Sequence, residues 1–400
     1  MDFSYSARTE DLLDKLEYFM DSYVYPAERI YDEQVAANDN PHEQPQIMRE
    51  LQAEAREMGL WNLFMTHDDL GAGLTNVEYA PLAEVVGRSV IGNEAINCSA
   101  PDTGNMEILA MYGTEQQKRH WLKPLLDCSI RSAFAMTEPA VASSDATNIA
   151  STIRRDGDEY ILNGRKWYIS GILDPDCELI IFMGKSDPEA KTYRQQSMIL
   201  VPTDAPGIEV LRDLPMFGFR DRLGHGEVQF TDVRVPAENM LGAEGDGFAI
   251  AQGRLGPGRV HYAMRAIGMA ERALELMCRR SLERTAFGGP LADRGVVREW
   301  IARGRIAIDQ IRLSVLRASW LMDTKGNAAA RSEVAAIKVA AMEVAHTVVD
   351  RAVQTFGAAG VSDDTVLARM HAITRALQIA DGPNEVHLRT IARLEVKKYR

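Results

Sequence analysis

Four hundred residues exceed what one hydrophobic core usually organises, so two or three domains, or one domain built up in layers, are expected. With 46% apolar and 26% charged residues and no low-complexity block, the composition is that of an ordinary globular protein, and a formal net charge of −12 argues against a phosphate-backbone binder. Cys98, Cys128, Cys177 and Cys278 lie far apart and form no CxxC or Cys/His cluster, so neither a zinc site nor a disulfide framework is readable; no metal is expected and a reducing compartment fits. The first residues carry neither a basic-then-apolar signal peptide nor an Arg-rich transit peptide, and no apolar run reaches membrane-spanning length, which makes a cytoplasmic setting the expectation.

From Thr9 to about Leu126 the apolar residues fall three and four apart, as in Leu12, Leu16, Phe19 and Met20 and then Ile47, Leu51, Ala55 and Met58, which predicts amphipathic helices. Gly71 to Gly73 and the PDTG run at 101–104 predict loops, and GTEQQKRHWL from Gly113 predicts a helix start capped by Thr114. Between about Arg131 and Asn239 short β-rich runs follow, at 160–162, 179–182, 197–201 and 227–230, with turn residues at 156–158, at Asn163 and Gly164, and at 204–207. Val228, Phe230, Val233 and Val235 alternate imperfectly with polar residues, as antiparallel strands with one covered face do. After Gly247 the helical period returns through Met264, Ile267, Leu274 and Met277, then Trp300, Ile301, Ile308, Ile311 and Val315, and ends in an Ala-rich stretch from Ala328 to Phe356. That is the pattern of a helix bundle, with small side chains that permit close packing and a possible subunit interface. The layout is α, β, α, with domains expected at 1–130, 131–243 and 244–400.

Two glycine-rich runs carry no nucleotide signal. GKS at 184–186 follows a strand, but a phosphate-binding loop needs a glycine where Leu179 stands. GRLGPG at 253–258 lacks the dinucleotide spacing and follows no strand, so it reads as a turn within or before a helix. FAMTEPAVASSD, 134–145, sets small hydroxyl residues and a proline at the entry to the β region, where unpaired backbone N–H groups would suit an anionic or heterocyclic ligand; an inert connector is the alternative. In NGRKWYISG, 163–171, Trp167 and Tyr168 read first as core or interface residues and second as a cofactor wall. RTAFGGP from Arg284 reads as a helix end with an arginine near the negative pole of the helix. In QIADGPNEVH, 378–387, Asp381 and Glu385 lie one helical turn apart and share a face if the helix continues; the plain reading is a surface helix start.

Taken in order, these segments resemble the acyl-CoA dehydrogenase family over nearly the whole chain. Thr137 to Pro139 match the family's Thr-Glu-Pro loop, Asn163 to Ser170 its Asn-Gly-x-Lys-x-aromatic-x-Thr/Ser segment, and Glu283 to Gly288 its Glu-Arg-x-x-Phe-Gly segment. Gln354 matches a Gln before a Gly-rich turn, and Asp381 with Gly382 the terminal acidic-Gly pair. The resemblance implies an α+β fold with an N-terminal helical domain, a middle antiparallel β domain and a C-terminal four-helix bundle, binding FAD between the last two and usually assembled as a tetramer, a dimer of dimers. By position, Phe134, Met136 and Thr137 would line the flavin, Thr137 hydrogen-bonding the ring, while Tyr168, Ile169 and Ser170 would flank its other side. Arg284, Phe287 and Gln354 would reach the ADP half on a neighbouring subunit, and Pro383 and Glu385 would stand beside FAD in place of a Thr and a Gln. Ser143 or Ser144 would contact the acyl-CoA, Gly382 would adjoin the substrate, and Arg259 would meet the nucleotide end of the CoA.

Some positions depart from the commoner family pattern. The TEPAVASSD loop is one residue longer, which leaves both serines open; Tyr168 replaces a Trp, and Gly256 stands where an Asp often helps bind substrate. LGPGR together with DGPNEVH resembles the subgroup of vertebrate acyl-CoA dehydrogenase family members ten and eleven and their bacterial relatives, which favours long or branched acyl chains. The implied reaction removes a proton next to the thioester and a hydride from the adjoining carbon, giving a trans-2-enoyl-CoA as in fatty acid β-oxidation, with electrons passed to an electron-transfer flavoprotein. It needs a base, a hydride acceptor on the opposite face and hydrogen bonds to the thioester oxygen. Some members carry the base on the helix residue just before the substrate-binding Arg; here that residue is Gly258, which leaves Asp381 as the positional candidate and Glu385 as its rival. Asp is one methylene shorter than the usual Glu. Nitroalkane oxidases on the same fold also use an Asp, so an oxygen-reducing oxidase is a second reading, and a catalytically silent flavoprotein or helical scaffold a third.

Overall fold

The computed structural model describes residues 4–67 and 69–400, with the side-chain surroundings of 255–257 also outside the described set. The chain folds as two compact units: one combines residues up to Glu28 with Ala53–Ile96 and Gly256–Arg400, the other Arg29–Gln52 with Asn97–Leu255.

Helices α1 (Ala7–Phe19), α2 (Tyr25–Ala37), α3 (Gln46–Glu57), α4 (Asn76–Gly87) and α5 (Asp102–Tyr112) come first. Ser6 caps α1 by accepting from Thr9 N, and Thr75 with Glu78 closes a capping box on α4. Thr114 caps the helical segment that follows α5, reciprocated by Gln117, as its position predicts. The PDTG run is not a loop. Pro101 sits at the N-cap and Asp102 to Gly104 form the first turn of α5, where a proline forfeits nothing because the first N–H groups have no intrahelical acceptor.

Seven strands form one sheet: β1 (Arg131–Ala135), β2 (Thr152–Asp156), β3 (Glu159–Ser170), β4 (Cys177–Lys185), β5 (Gln196–Pro202), β6 (Ile208–Asp213) and β7 (His225–Pro236). Their order is β1-β4-β2-β3-β7-β6, with β5 paired to β4. The sheet is mixed, since β1 and β2 run parallel to β4 while the other pairs are antiparallel. Ala133, Ala135, Leu162, Phe182, Ile199, Val228 and Phe230 belong to its buried core. Asn163 and Gly164 do not end a strand. They lie inside β3 at a register shift against β7, where Asn163 exchanges two hydrogen bonds of 2.9 Å with Asp232. A Cβ on Gly164 would fall 2.0 Å from Ser151 Oγ, so glycine there serves a close approach of two backbones.

The last third holds α6 (Gly247–Glu283), a hairpin of β8 (Thr285–Ala286) and β9 (Gly289–Pro290), α7 (Gly295–Lys325), α8 (Arg331–Phe356), α9 (Leu367–Leu377) and α10 (Asn384–Lys397). GRLGPG is carried within α6 rather than forming a turn. Helix α4 crosses α6 at two glycines: a Cβ on Gly268 would lie 2.0 Å from Glu84 O, and one on Gly87 2.5 Å from the Arg265 Cα. Helix α8 packs against α7, α9 and α10.

Candidate functional site

In the β unit the TEP loop is fastened to β3 by both its backbone and its side chains. Trp167 N donates to Thr137 O at 3.0 Å, and Thr137 Oγ1 donates to Trp167 O at 2.5 Å. The hydroxyl hydrogen of Thr137 is therefore committed to the sheet, and a ligand would find its lone pairs. Beneath the loop, Lys166 is completely buried and its Nζ donates to Glu138 Oε1 at 2.8 Å, Met136 O at 3.0 Å and Met183 O at 2.7 Å. Glu138 in turn accepts from Ala150 N and Ser151 N, both at 2.9 Å. Burial pulls the Lys166 ammonium down to about 8, against the pull of Glu138, and three acceptors keep it protonated at neutral pH. Burial would raise the Glu138 carboxyl, but Lys166 and the N–H donors hold it below its usual value, so the pair stays ionised.

The register of β3 against β7 shifts between Lys166 and Ile169, and Tyr168 takes a left-handed φ of +51°. That bulge turns the Tyr168 ring outward, 48% exposed and edge-on to Trp167 at 5.3 Å. Ile169 returns to the sheet core, so only its backbone is left for a cofactor. Ser170 Oγ lies 2.8 Å from His225 Nδ1, and His225 Nε2 is buried without a hydrogen-bond partner. Burial lowers the His225 pKa and keeps the ring neutral. Phe134 and Met136 are half-buried, with the Arg254 guanidinium 4.1 Å from the Phe134 ring centroid. The two serines separate cleanly. Ser143 Oγ accepts from Glu138 N at 2.8 Å and closes the loop on itself, whereas Ser144 is exposed.

In the helical unit Asp381 does not lie on a helix with Glu385. It occupies the turn between α9 and α10 with φ +53°, followed by Gly382 at +96°, and Pro383 is the N-cap of α10, so the two carboxylates do not share a helical face. Glu385 is exposed in the first turn of α10, and Pro383 and Gly382 are half-buried. Arg259, on α6, donates through Nε to Asp381 O at 3.1 Å, which ties one edge of its guanidinium to the acidic turn. His387 Nε2 lies 3.3 Å from the same carbonyl oxygen. Burial first, then Arg259 and Lys338, pull the His387 pKa down to about 4, so it is neutral. A Cβ on Gly258 would have nothing within 4 Å, so this helix position has room for a side chain and carries none. Gly256 lies outside the residues whose surroundings are described.

Arg284 and Gln354 are both exposed. Phe287 and Gly288 form a two-residue hairpin turn with φ of +51° and +82°. Arg294 braces it, donating to Ala286 O and, at 2.9 Å, to Phe287 O. The result is a rigid hairpin that presents Phe287 98% exposed. Sequence reasoning missed Glu138, Lys166, His225, Lys338 and His387. Glu138 and Lys166 are letters of the matched motifs, and a lysine inside the apolar run 334–342 was a readable signal for Lys338.

Known proteins resemble this chain over its whole length. The acyl-CoA dehydrogenase N-terminal, middle and C-terminal domain families match residues 8–129, 133–233 and 245–395. FadE2 of Mycobacterium tuberculosis, named as an acyl-CoA dehydrogenase, is 56% identical over 400 residues, covering 100% of this chain and 98% of that protein. Mouse acyl-CoA dehydrogenase family member 10 is 53% identical over 398 residues, and the match spans 98% of this chain but only 37% of that longer protein. A solved structure from Mycobacterium abscessus, assigned to the acyl-CoA dehydrogenases, superposes with a TM-score of 0.97 at 52% identity, covering 100% of both chains. A chain solved in work on the electron transferring flavoprotein of Acidaminococcus fermentans gives 0.83 at 27% identity, covering 98% of this chain and 99% of that one. On all three segments and over its whole length, this chain belongs to the acyl-CoA dehydrogenase family, in the subgroup of family members 10 and 11 and FadE2.

Proposed function

We propose that this chain is an FAD-dependent acyl-CoA dehydrogenase that converts an acyl-CoA thioester to the trans-2-enoyl-CoA, as in fatty acid β-oxidation. The observation that carries the reading is the Asp381 turn: a carboxylate in a left-handed backbone conformation, its own carbonyl gripped by Arg259, while the alternative helix position is a glycine. The residues present suit a flavin. The unpartnered buried Nε2 of His225 beside Ser170, and the outward Tyr168 ring, are the kind of unsatisfied surface that a polar heterocycle completes. Phe134, Met136, Thr137, Tyr168 and Ser170, with the Ile169 backbone, would hold the ring, and Arg284, Phe287, Gln354, Pro383 and Glu385 would serve the rest of the cofactor. A bound FAD would supply the acceptor for the β-hydride.

Asp381 takes the α-proton onto its carboxylate while its backbone N–H meets the thioester oxygen, where negative charge develops. Bound substrate would exclude water from the turn. Ser144, exposed where Ser143 is tied to Glu138 N, would contact the acyl-CoA, and Gly382 would adjoin the substrate. Electron transfer to a flavoprotein partner is supported by the likeness to the Acidaminococcus fermentans chain. Assembly with further copies, as a tetramer, is supported by Ile306, Leu313 and Trp320, exposed at seven-residue spacing along α7.

Purified yellow protein should bleach anaerobically on adding acyl-CoA; no bleaching across all chain lengths refutes the reading. Asp381→Asn should stop bleaching while FAD stays bound, and persistent turnover would pass the role to Glu385. One observation favours a second reading, a flavin oxidase of the same fold: the carboxylate on the left-handed turn is an Asp, as in nitroalkane oxidases. Hydrogen peroxide formed from acyl-CoA or a nitroalkane with no electron carrier present would select it.

A further inference from the structure

We propose that Lys338 is a positioning residue for Asp381, acting with Arg259 and His387 as a clamp from three helices that fixes the backbone of the turn and thereby the reach of a short carboxylate. The inference rests on the reading of Asp381 as the base. Lys338 lies on α8 and is 1% exposed, and its Nζ donates to Leu377 O at 2.6 Å. Leu377 is the last residue of α9, where carbonyls lack intrahelical partners and carry the negative end of the helix dipole. Four residues on, the Asp381 carbonyl is held by Arg259 from α6 at 3.1 Å and faced by His387 from α10 at 3.3 Å. The entry and the exit of the turn are therefore both fastened. Gly382 completes the packing, since a Cβ there would stand 3.0 Å from His387 Nε2.

A cap alone does not call for a buried ammonium. Burial pulls Lys338 down to about 8, opposed by Asp381 and assisted by Arg259, with Glu385 a smaller opposing influence; Arg331 acts in turn on Arg259. A charge kept in so dry a position is a cost to the fold, and its electrostatic partner is the carboxylate that the reaction uses. Asp gives up a methylene of reach, and a misplacement of about an ångström can cost on the order of a hundredfold in rate. A clamped backbone is how the shorter side chain keeps its geometry.

The test is a cycle in the FAD-loaded protein: Lys338→Met, Asp381→Glu and the double variant. The readouts are anaerobic flavin bleaching by a straight-chain acyl-CoA that the unaltered protein oxidises, and amide hydrogen exchange across 378–387. Lys338→Met should slow bleaching roughly 10- to 100-fold in kcat with KM nearly unchanged, and should speed exchange in the turn. The longer, adaptable Glu arm should shrink that loss in the double variant, and Lys338→Arg should restore slow exchange. Losses that simply multiply, or a turn whose exchange is unchanged, overturn the proposal. Where Lys338→Met fails to fold, Lys338→Gln, which keeps a donor toward Leu377 O without the charge, takes its place in the cycle. If no acyl-CoA bleaches the unaltered protein, the base reading falls, and the exchange measurement alone decides whether the clamp exists.

Discussion

Replacing Lys166 by Met removes the ammonium under the TEP loop and leaves its three acceptors behind. Glu138 would keep its two backbone donors at 2.9 Å but lose its counter-charge, and the Met136 and Met183 carbonyls would be unpaired. Breaking a buried ion pair from one side costs about 3–5 kcal/mol, because a charge is left uncompensated. Urea titration should show a loss of that order, and under the proposed reading FAD content should fall as the Thr137 loop loosens. Adding Glu138→Gln neutralises the stranded charge while keeping an acceptor for Ala150 N and Ser151 N. The double variant should return to within about 1–2 kcal/mol of the original, a coupling of at least about 2 kcal/mol.

The pH dependence of the same variants has a definite sign. Glu138 is held below its usual pKa in the folded chain, so its contribution is complete above about pH 4.3 and is lost as pH falls through the lower folded value. Without Lys166, burial is opposed only by the Ala150 and Ser151 donors, so the carboxyl titrates higher than in the unaltered chain. The deficit of Lys166→Met should then shrink as pH falls toward about 4 and the group protonates. Additive single variants, or a deficit that ignores pH, would refute the argument that a buried charge pair fastens this loop.

Three further outcomes are expected. Ser144→Ala should raise KM for acyl-CoA without altering unfolding, whereas Ser143→Ala should lower stability by about 1 kcal/mol through the lost bond to Glu138 N, read by steady-state kinetics and urea melts. Gly382→Ala places a side chain at φ +96° and 3.0 Å from His387 Nε2, so it should destabilise by about 1–3 kcal/mol and slow turnover more than it weakens binding. His387, with a folded pKa of about 4 against about 6.5 unfolded, contributes fully above the unfolded value and loses that contribution as pH falls toward the folded one. Stability measured from pH 7 down to about 4.5 should fall more gently in His387→Gln.

The fold was legible where side-chain periodicity matched burial. Strands β3, β4, β5 and β7 bury apolar residues and announced themselves, whereas β1, β2 and β6 carry Arg, Asp, Glu or Ser at several positions and did not. Local turn chemistry misled at Asn163 with Gly164 and at GRLGPG for one reason, turn-forming residues whose neighbours continue a strand and a helix, and at PDTG because a proline that opens a helix reads like one in a loop. Glycine marked a close backbone approach in the first case. Asp381 was found by its place in a motif, but its left-handed turn was hidden, because the contacts that hold it come from Arg259 and Lys338, 122 residues and 39 residues from the carbonyls they grip. Motif letters named Glu138 and Lys166 without revealing that they bind each other, a pairing that only the sheet creates.

Phe287 also bears on how this protein behaves on dilution. A ring with 98% of its surface in water adds nothing to the folding of a lone chain, so its value is realised only when something covers it. Under the proposed reading that cover includes FAD held with a second copy, and cofactor occupancy then obeys mass action in protein as well as in FAD. Enzyme assayed at nanomolar concentration would shed cofactor that micromolar enzyme retains. Apparent flavin affinity would thus change with the amount of protein in the cuvette, and a low specific activity in dilute assays would report dissociation rather than slow chemistry.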